Sequence, residues 1–482
     1  MVIKDLTNGG ADYCFECIGL ASLMAEAFNS SRQGWGKTVI IGKDKLVLRI
    51  KNKRSSQAHS IGKERKKDQQ IQNQYIFEFH QQLVNSFVAM PIIKSITREY
   101  IGKPIRCKAA ICRKSGEPLV IEEVELDPPK SWEVRIKILS TSLCHSDLTF
   151  WKMDSYVPAA VFPRILGHEA VGVVESVGEY VEEVKEGDLV VPVFLANCGE
   201  CRDCESTKSN NCSKFGSNPF QYQYGMPRDG TSRFRDINGE VVHHLFGVSS
   251  FSEYTVVDVT HLVKIVQDFP LDKACLLSCG VSTGVGAAWK VADVEKGSTV
   301  AIFGLGAVGL AVALGAKQRG ASMIIGIDLN QDKFEIGKQF GVTDFVNPST
   351  CKEKSVSEVI KDMTNGGADY CFECIGLASL MAEAFNSSRE GWGKTVIIGV
   401  EMHGSPLTLS PYTILRGRTI TGSLFGGIKA KSDLPLLAQK YLDKELNLDG
   451  FITQEVDFKD INKAFDYMVQ GKSIRCIIRM DH

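Results

Sequence analysis

The stretch from Ser298 to Asp328 constrains this chain more than any other. An apolar run, Val300-Ala301-Ile302-Phe303, stops at Gly304-Leu305-Gly306-Ala307-Val308-Gly309. A small-residue helical pattern continues to Lys317, and a second apolar run, Met323 to Ile327, ends on Asp328. The order is strand, glycine turn, helix, strand, acid. Gly304 permits the tight turn, Gly306 lets a pyrophosphate approach the backbone, and Gly309 lets helix and strand pack closely. The helix N-terminus offers free N–H groups and the positive end of its dipole. Asp328 lies 22 residues beyond Gly306, where an acid holds ribose hydroxyls. The unit predicts dinucleotide binding, and its acid predicts NAD over NADP because a carboxylate repels a 2′-phosphate. The window Gly297 to Ala316 is uncharged and long enough for a membrane span, but its five glycines and strand-to-helix change argue against one.

The chain has 482 residues, enough for two or three domains. Its net charge of −1 gives no global pull toward nucleic acid or membrane. The first ten residues lack the apolar core of a signal peptide, so a cytoplasmic location is expected. Fifteen cysteines in such a chain point to metal ligands and buried thiols more than to disulfides.

Val2–Gly42 repeats Val359–Gly399, differing only at Leu6/Met363 and Gln33/Glu390. So close a copy at so long a period is no solenoid repeat. The C-terminal copy completes the parallel sheet begun at Val300. The N-terminal copy, residues 1–42, lacks the first half-sheet and reads as an orphan βαβ-like fragment with open apolar edges. A duplicated exon or fused fragment is the expected origin. Cys14 and Cys17, like Cys371 and Cys374, have the spacing of redox or zinc pairs, but they sit in apolar strands and read as buried thiols. Residues 43–101 open with ten basic residues against three acidic ones between Lys43 and Gln70, then turn Gln-rich. They read as a basic, disordered linker, since no nucleic-acid reader fold accompanies them.

From Gly102 the pattern becomes β-rich, with strand-like runs at Ile105–Ala110, Val134–Leu139, Val171–Val177, Asp188–Phe194 and Tyr254–Val257. Helical stretches at Asp433–Tyr441 and Lys459–Gln470 are expected to pack back onto it. Within it, Cys198, Cys201, Cys204 and Cys212 form C-x2-C-x2-C-x7-C, a spacing that closes a tetrahedral thiolate shell around a structural zinc. Cys144 in C-H-S-D, His168 in L-G-H-E-A-V-G and Cys279 in L-S-C-G-V-S-T-G are weak signals singly. Together, two thiolates and an imidazole leave a fourth zinc position open for chemistry. Asp147 is placed to accept from the second ring nitrogen of His168, and Glu169 to act as a nearby acid or transient ligand.

These motifs, with G-K-P-I-R-C-K-A-A at 102, G-L-G-A-V-G-L at 304 and S-I-R-C-I-I-R at 473, occur in one order. Gly102 to His482 resembles the zinc-dependent medium-chain alcohol dehydrogenases, most closely their plant alcohol-dehydrogenase-like members. The resemblance implies an α/β chain: a GroES-like catalytic domain over 102–280 and 425–482, and a Rossmann domain over 281–424. It implies a homodimer with two zincs per subunit, NAD, and alcohol or aldehyde substrates. Cys144, His168 and Cys279 would bind the catalytic zinc, and Ser146 would pass the alcohol proton onward. His145 and Arg475 would contact the pyrophosphate, and Asp328 and Lys333 the adenosine ribose. Thr283 and Phe194 would line the nicotinamide and substrate pocket.

Two departures matter. Many members carry a histidine five positions after the first cysteine ligand to end the proton relay, and here that position is Thr149. A hydroxyl is no base near neutral pH, so a slower or more pH-dependent oxidation is expected. The second departure is the N-terminal copy. Two rivals follow: an S-(hydroxymethyl)glutathione dehydrogenase, with Arg233 reading a glutathione carboxylate, and an inactive fusion product. A chain shortened to begin at Lys103 is expected to be at least as active per molecule and more soluble. Activity lost on that truncation would give residues 1–102 a function.

Overall fold

The computed structural model describes residues 102–153, 160–215, 227–402 and 404–480, with the backbone of two strands at Tyr13–Glu16 and Lys37–Ile40. The linker expected over 43–101 and the side chains of Cys14 and Cys17 lie outside the described residues.

Six parallel strands build the sheet predicted from Val300: β1 (Thr299–Phe303), β2 (Met323–Ile327), β3 (Asp344–Val346), β4 (Tyr370–Glu373), β5 (Lys394–Ile397) and β6 (Thr419–Gly422). Their order is β3-β2-β1-β4-β5-β6. That is the doubly wound dinucleotide-binding order, and it reverses at the β1/β4 boundary, where a crevice opens at the strand C-termini. β1 is buried from Val300 to Phe303 and β2 from Ile324 to Ile327, as strands covered on both faces must be. Helix Ala307–Gln318 joins them. Gly304 sits at φ +93°, which closes the turn without a Cβ penalty. A Cβ on Gly309 would fall 1.9 Å from the Gly304 carbonyl oxygen, whereas one on Gly306 would meet nothing within 4 Å. The turn is therefore closed on its protein side and open on the other. Cys371 on β4 is fully buried and its thiol is pushed up by burial; Cys374 is partly buried.

The β-rich part is built from two antiparallel-based sheets. One runs Val241–Val242, Phe234–Asp236, Val120–Leu126, Ile105–Cys112, Arg164–Ile165. The other centres on the long strand Glu133–Leu143, flanked by Glu169–Val177 and by the C-terminal strand Arg475–Arg479. Helix Ile461–Val469 puts Ile461, Ala464 and Phe465 into this core, as expected of the C-terminal segment. Helix Ala430–Leu442 also packs back onto the β-rich part, against strand Leu262–Lys264, and buries Leu434, Leu437 and Ala438 in the core shared with the parallel sheet. Among the described residues no single helix is long and apolar enough to cross a membrane.

The N-terminal copy pairs Tyr13 with Lys37 through Glu16 with Ile40, parallel. This is the register of Tyr370 with Lys394 through Glu373 with Ile397 in β4 and β5. It forms a separate two-stranded sheet and does not join the six-stranded one.

The Gly309 contact yields a test. Gly309→Ala forces the turn apart and should destabilise the protein by about 1–3 kcal/mol. Thermal melting, with dinucleotide titration on the surviving protein, checks both stability and the loss of cofactor affinity.

Candidate metal centre and cofactor crevice

Strand register assembles the centre. Ser142 pairs with Glu169, and Leu143 pairs with Cys476. Three neighbouring strands thus bring Cys144, His168 with Glu169, and Arg475 to one end of the sheet. Cys279 arrives from the N-terminus of helix Gly280–Gly286. One ligand atom each from Cys144, His168, Glu169 and Cys279 lies within 4.8 Å of the others. All four residues are at least nine-tenths buried.

Asp147 fixes the imidazole. Its Oδ1 accepts from His168 Nδ1 at 3.0 Å and from the Gly167 amide at 3.0 Å, while Oδ2 accepts from the Cys144 amide at 3.0 Å. With Nδ1 donating, Nε2 is the nitrogen left for a metal once it gives up its proton. Burial pushes the His168 imidazolium down, but Asp147 and Cys144 outweigh it and hold the group above its ordinary range. The hydrogen bond with Cys279, aided by the Arg475 guanidinium against burial, holds the Cys144 thiol low, and the same bond pushes Cys279 up. A cation that takes both sulfurs as thiolates releases the proton they share.

Glu169 is fully buried and receives Arg475 Nε and Nη2 at 2.9 Å each, the Gly280 amide at 3.1 Å and the Ser142 hydroxyl. Arg475 Nη2 also lies 3.5 Å from Cys144 Sγ. The structure therefore directs Arg475, expected at the pyrophosphate, to Glu169 and Cys144. Its place beside the central strand explains this.

The four-cysteine lobe is compact. Cys198 and Cys204 sulfurs lie 3.8 Å apart, and those of Cys201 and Cys212 lie 3.9 Å apart. Zinc–thiolate bonds of about 2.3 Å set the edges of a regular tetrahedron at about 3.8 Å. The amides of Cys201, Cys204 and Phe215 each donate to a lobe sulfur at 3.4 Å. Burial opposes ionisation of Cys201, yet bonds from Ser213 and the Cys204 backbone bring its thiol down to about 6. The donor set and spacing fit zinc.

At the crevice, Asp328 Oδ2 accepts from the Leu305 amide at 2.8 Å and from Lys333 Nζ at 2.9 Å. The acid thus ties the end of β2 to the glycine turn. Thr283 is buried, Ser146 is half-buried and His145 is exposed on helix His145–Trp151. Thr149 donates its hydroxyl to the His145 carbonyl at 3.0 Å. Phe194 packs edge-on against His168 at 6.1 Å. Phe246, which the sequence did not flag, lies closer to His168, at 5.2 Å, and Phe425 meets Phe194 at 5.0 Å. Arg233 overturns an expectation. It is 1% exposed, with Nε and Nη2 on Glu133 at 2.9 and 2.6 Å, so it is a structural ion pair unavailable to a glutathione carboxylate.

Residues 130–267 match the alcohol dehydrogenase GroES-like domain, and 307–442 match the zinc-binding dehydrogenase family. Alcohol dehydrogenase-like 1 of Arabidopsis thaliana is 64% identical over 382 residues, covering 79% of this chain and 97% of that protein. The chain belongs to the medium-chain, zinc-binding alcohol dehydrogenases. Alcohol dehydrogenase class-P of Arabidopsis thaliana is 52% identical, covering 79% of this chain and 98% of its own. Among solved structures, an alcohol dehydrogenase zinc-binding domain protein from Burkholderia ambifaria superposes with a TM-score of 0.71 at 30% identity, over 79% of this chain and all of that one. Benzyl alcohol dehydrogenase from Acinetobacter calcoaceticus gives 0.70 at 28%, over 78% of this chain and 100% of its own. This medium-chain dehydrogenase therefore carries the expected pairing of GroES-like and Rossmann folds, and it is an oxidoreductase.

Asp147 gives the sharpest test of the centre. Asp147→Ala removes the partner of Nδ1 and should weaken zinc binding at the buried centre by about 10–100-fold. Metal content after dialysis against a graded chelator reads this directly.

Proposed function

We propose that this dehydrogenase interconverts primary or secondary alcohols with aldehydes or ketones, using NAD. The observation that carries the reading is the convergence of Cys144, His168 and Cys279, residues far apart in sequence, within 4.8 Å of one another. In this reading they hold a catalytic zinc, and Cys198, Cys201, Cys204 and Cys212 hold a structural one, two per subunit. When bound, the zinc acidifies a coordinated alcohol and NAD accepts the hydride.

The chain's own groups do the rest. Ser146 takes the alcohol proton outward. Thr149 already gives its hydrogen to the His145 carbonyl, so the proton leaves to water and not to a side-chain base. Phe194 and Phe246 exclude water from the face of His168. Gly304 closes the turn with its own amide on the Ile327 carbonyl, and Gly306 and Gly309 at the helix start take the pyrophosphate, with His145 beside them. Asp328 and Lys333 take the adenosine ribose, and Thr283 the nicotinamide side. The catalytic part comprises 102–280 with 425–482, and the cofactor part 281–424.

A cytoplasmic homodimer belongs to the same reading. β6 ends the sheet, and Tyr412 and Leu415 beside it are 62% and 47% exposed, which suits pairing with a second copy. The described cysteines are thiols, which suits a reducing compartment.

The test is reduction of NAD and of NADP with 1-hexanol, beside formaldehyde plus glutathione. Turnover of hexanol with NAD at least tenfold above NADP is expected. Turnover confined to formaldehyde plus glutathione would transfer the chain to the rival activity, and no turnover with either substrate would remove the enzymatic reading.

A further inference from the structure

The four-cysteine lobe does not end at its metal ligands. Lys429 Nζ donates to the carbonyls of Cys204 and Ser206, both within the lobe. Asn210, also in the lobe, donates from Nδ2 to the carbonyls of Leu424 at 2.8 Å and Ile428 at 3.2 Å. The two side chains therefore clamp both ends of the turn Leu424–Lys429 onto the lobe, and they satisfy four backbone acceptors that loops otherwise leave to water.

That turn has no slack on its other side. Gly426 adopts φ +64°, and a Cβ there would fall 2.5 Å from the Thr283 carbonyl and 2.7 Å from that of Ser282. Reciprocally, a Cβ on Gly286 would meet the Gly426 carbonyl at 2.5 Å. The turn is thus wedged against helix Gly280–Gly286, whose first residue follows Cys279. Its Phe425 is 1% exposed and packs edge-on against Phe194, which in turn faces His168.

We propose that Asn210 and Lys429 are positioning residues that couple the four-cysteine lobe to the catalytic centre, by holding Phe425 against Phe194 and the Cys279 helix. The structural lobe then acts as a brace for the substrate wall in addition to ordering its own loop. The coupling rests on the functional reading above for its effect on turnover, but its mechanical part does not.

The experiment uses the full zinc-loaded protein with Asn210→Ala, Lys429→Met, their combination, and Lys429→Arg as the conservative variant. Zinc content, hydrogen exchange at residues 425–428, and kcat and KM for 1-hexanol are measured. The double variant should keep its zinc, exchange at 425–428 about tenfold faster or more, and raise KM more than it lowers kcat. Lys429→Arg should recover most of the protection. Unchanged exchange at 425–428 with zinc retained overturns the proposal. So does faster exchange spread evenly through the molecule or accompanied by zinc loss, which would show a merely structural role. If the parent protein oxidises no alcohol, the functional reading fails while the exchange result still decides the coupling.

Discussion

Two helices that touch through glycine hold this enzyme together. A Cβ on Gly284 would lie 2.4 Å from the Val308 carbonyl, and one on Gly315 would lie 3.2 Å from the Val285 backbone. Helix Gly280–Gly286 starts at a metal-ligand candidate, and helix Ala307–Gln318 starts at the dinucleotide turn. Their backbones approach because glycine faces only backbone and the methyl groups of Ala311 and Ala288 at the crossing. Larger residues there would push the helices apart and carry Cys279 away from the glycine turn. This crossing holds the buried cysteine–histidine cluster and the glycine turn in fixed relation.

The second constraint is electrostatic. Arg475, Glu169 and the Cys144 sulfur form a buried chain of charge-bearing groups at the end of the central strand. Removing water from an acid, a guanidinium and two thiols is costly unless each finds a partner. Here each does: Glu169 accepts from two nitrogens of Arg475, an amide and a hydroxyl. The arrangement also fixes the C-terminal strand, since Arg475 is its first residue.

Much of this was readable beforehand, for identifiable reasons. The glycine turn and the four-cysteine lobe are local, so spacing alone reveals them. Cys144, His168 and Cys279 are not local; ligand chemistry and the family resemblance group them, but no spacing shows that they converge. Their meeting depends on registers, Ser142 to Glu169 and Leu143 to Cys476, that no local pattern encodes. The apolar strand pattern covers Val134 to Leu139 and does not extend over Ser140-Thr141-Ser142. The strand itself runs to Leu143, since the Thr141 hydroxyl finds the Glu169 carbonyl at 2.7 Å and that of Ser142 finds the Glu169 carboxylate. Arg233 was misread because its partner Glu133 is 100 residues away. Phe246 carried no signal; it belongs to no periodic pattern and reaches His168 from a positive-φ position in a loop.

The duplicated strands carry a broader lesson. Both copies choose the same pairing, residue for residue, though among the described residues only the C-terminal one has neighbouring strands on either flank. The instruction for how two strands align is thus contained in some forty residues. The instruction for where the pair resides is not; it comes from the chain on either side, which delivers β4 next to β1 and β5 next to β6. Copying the segment reproduced its alignment and left its address behind.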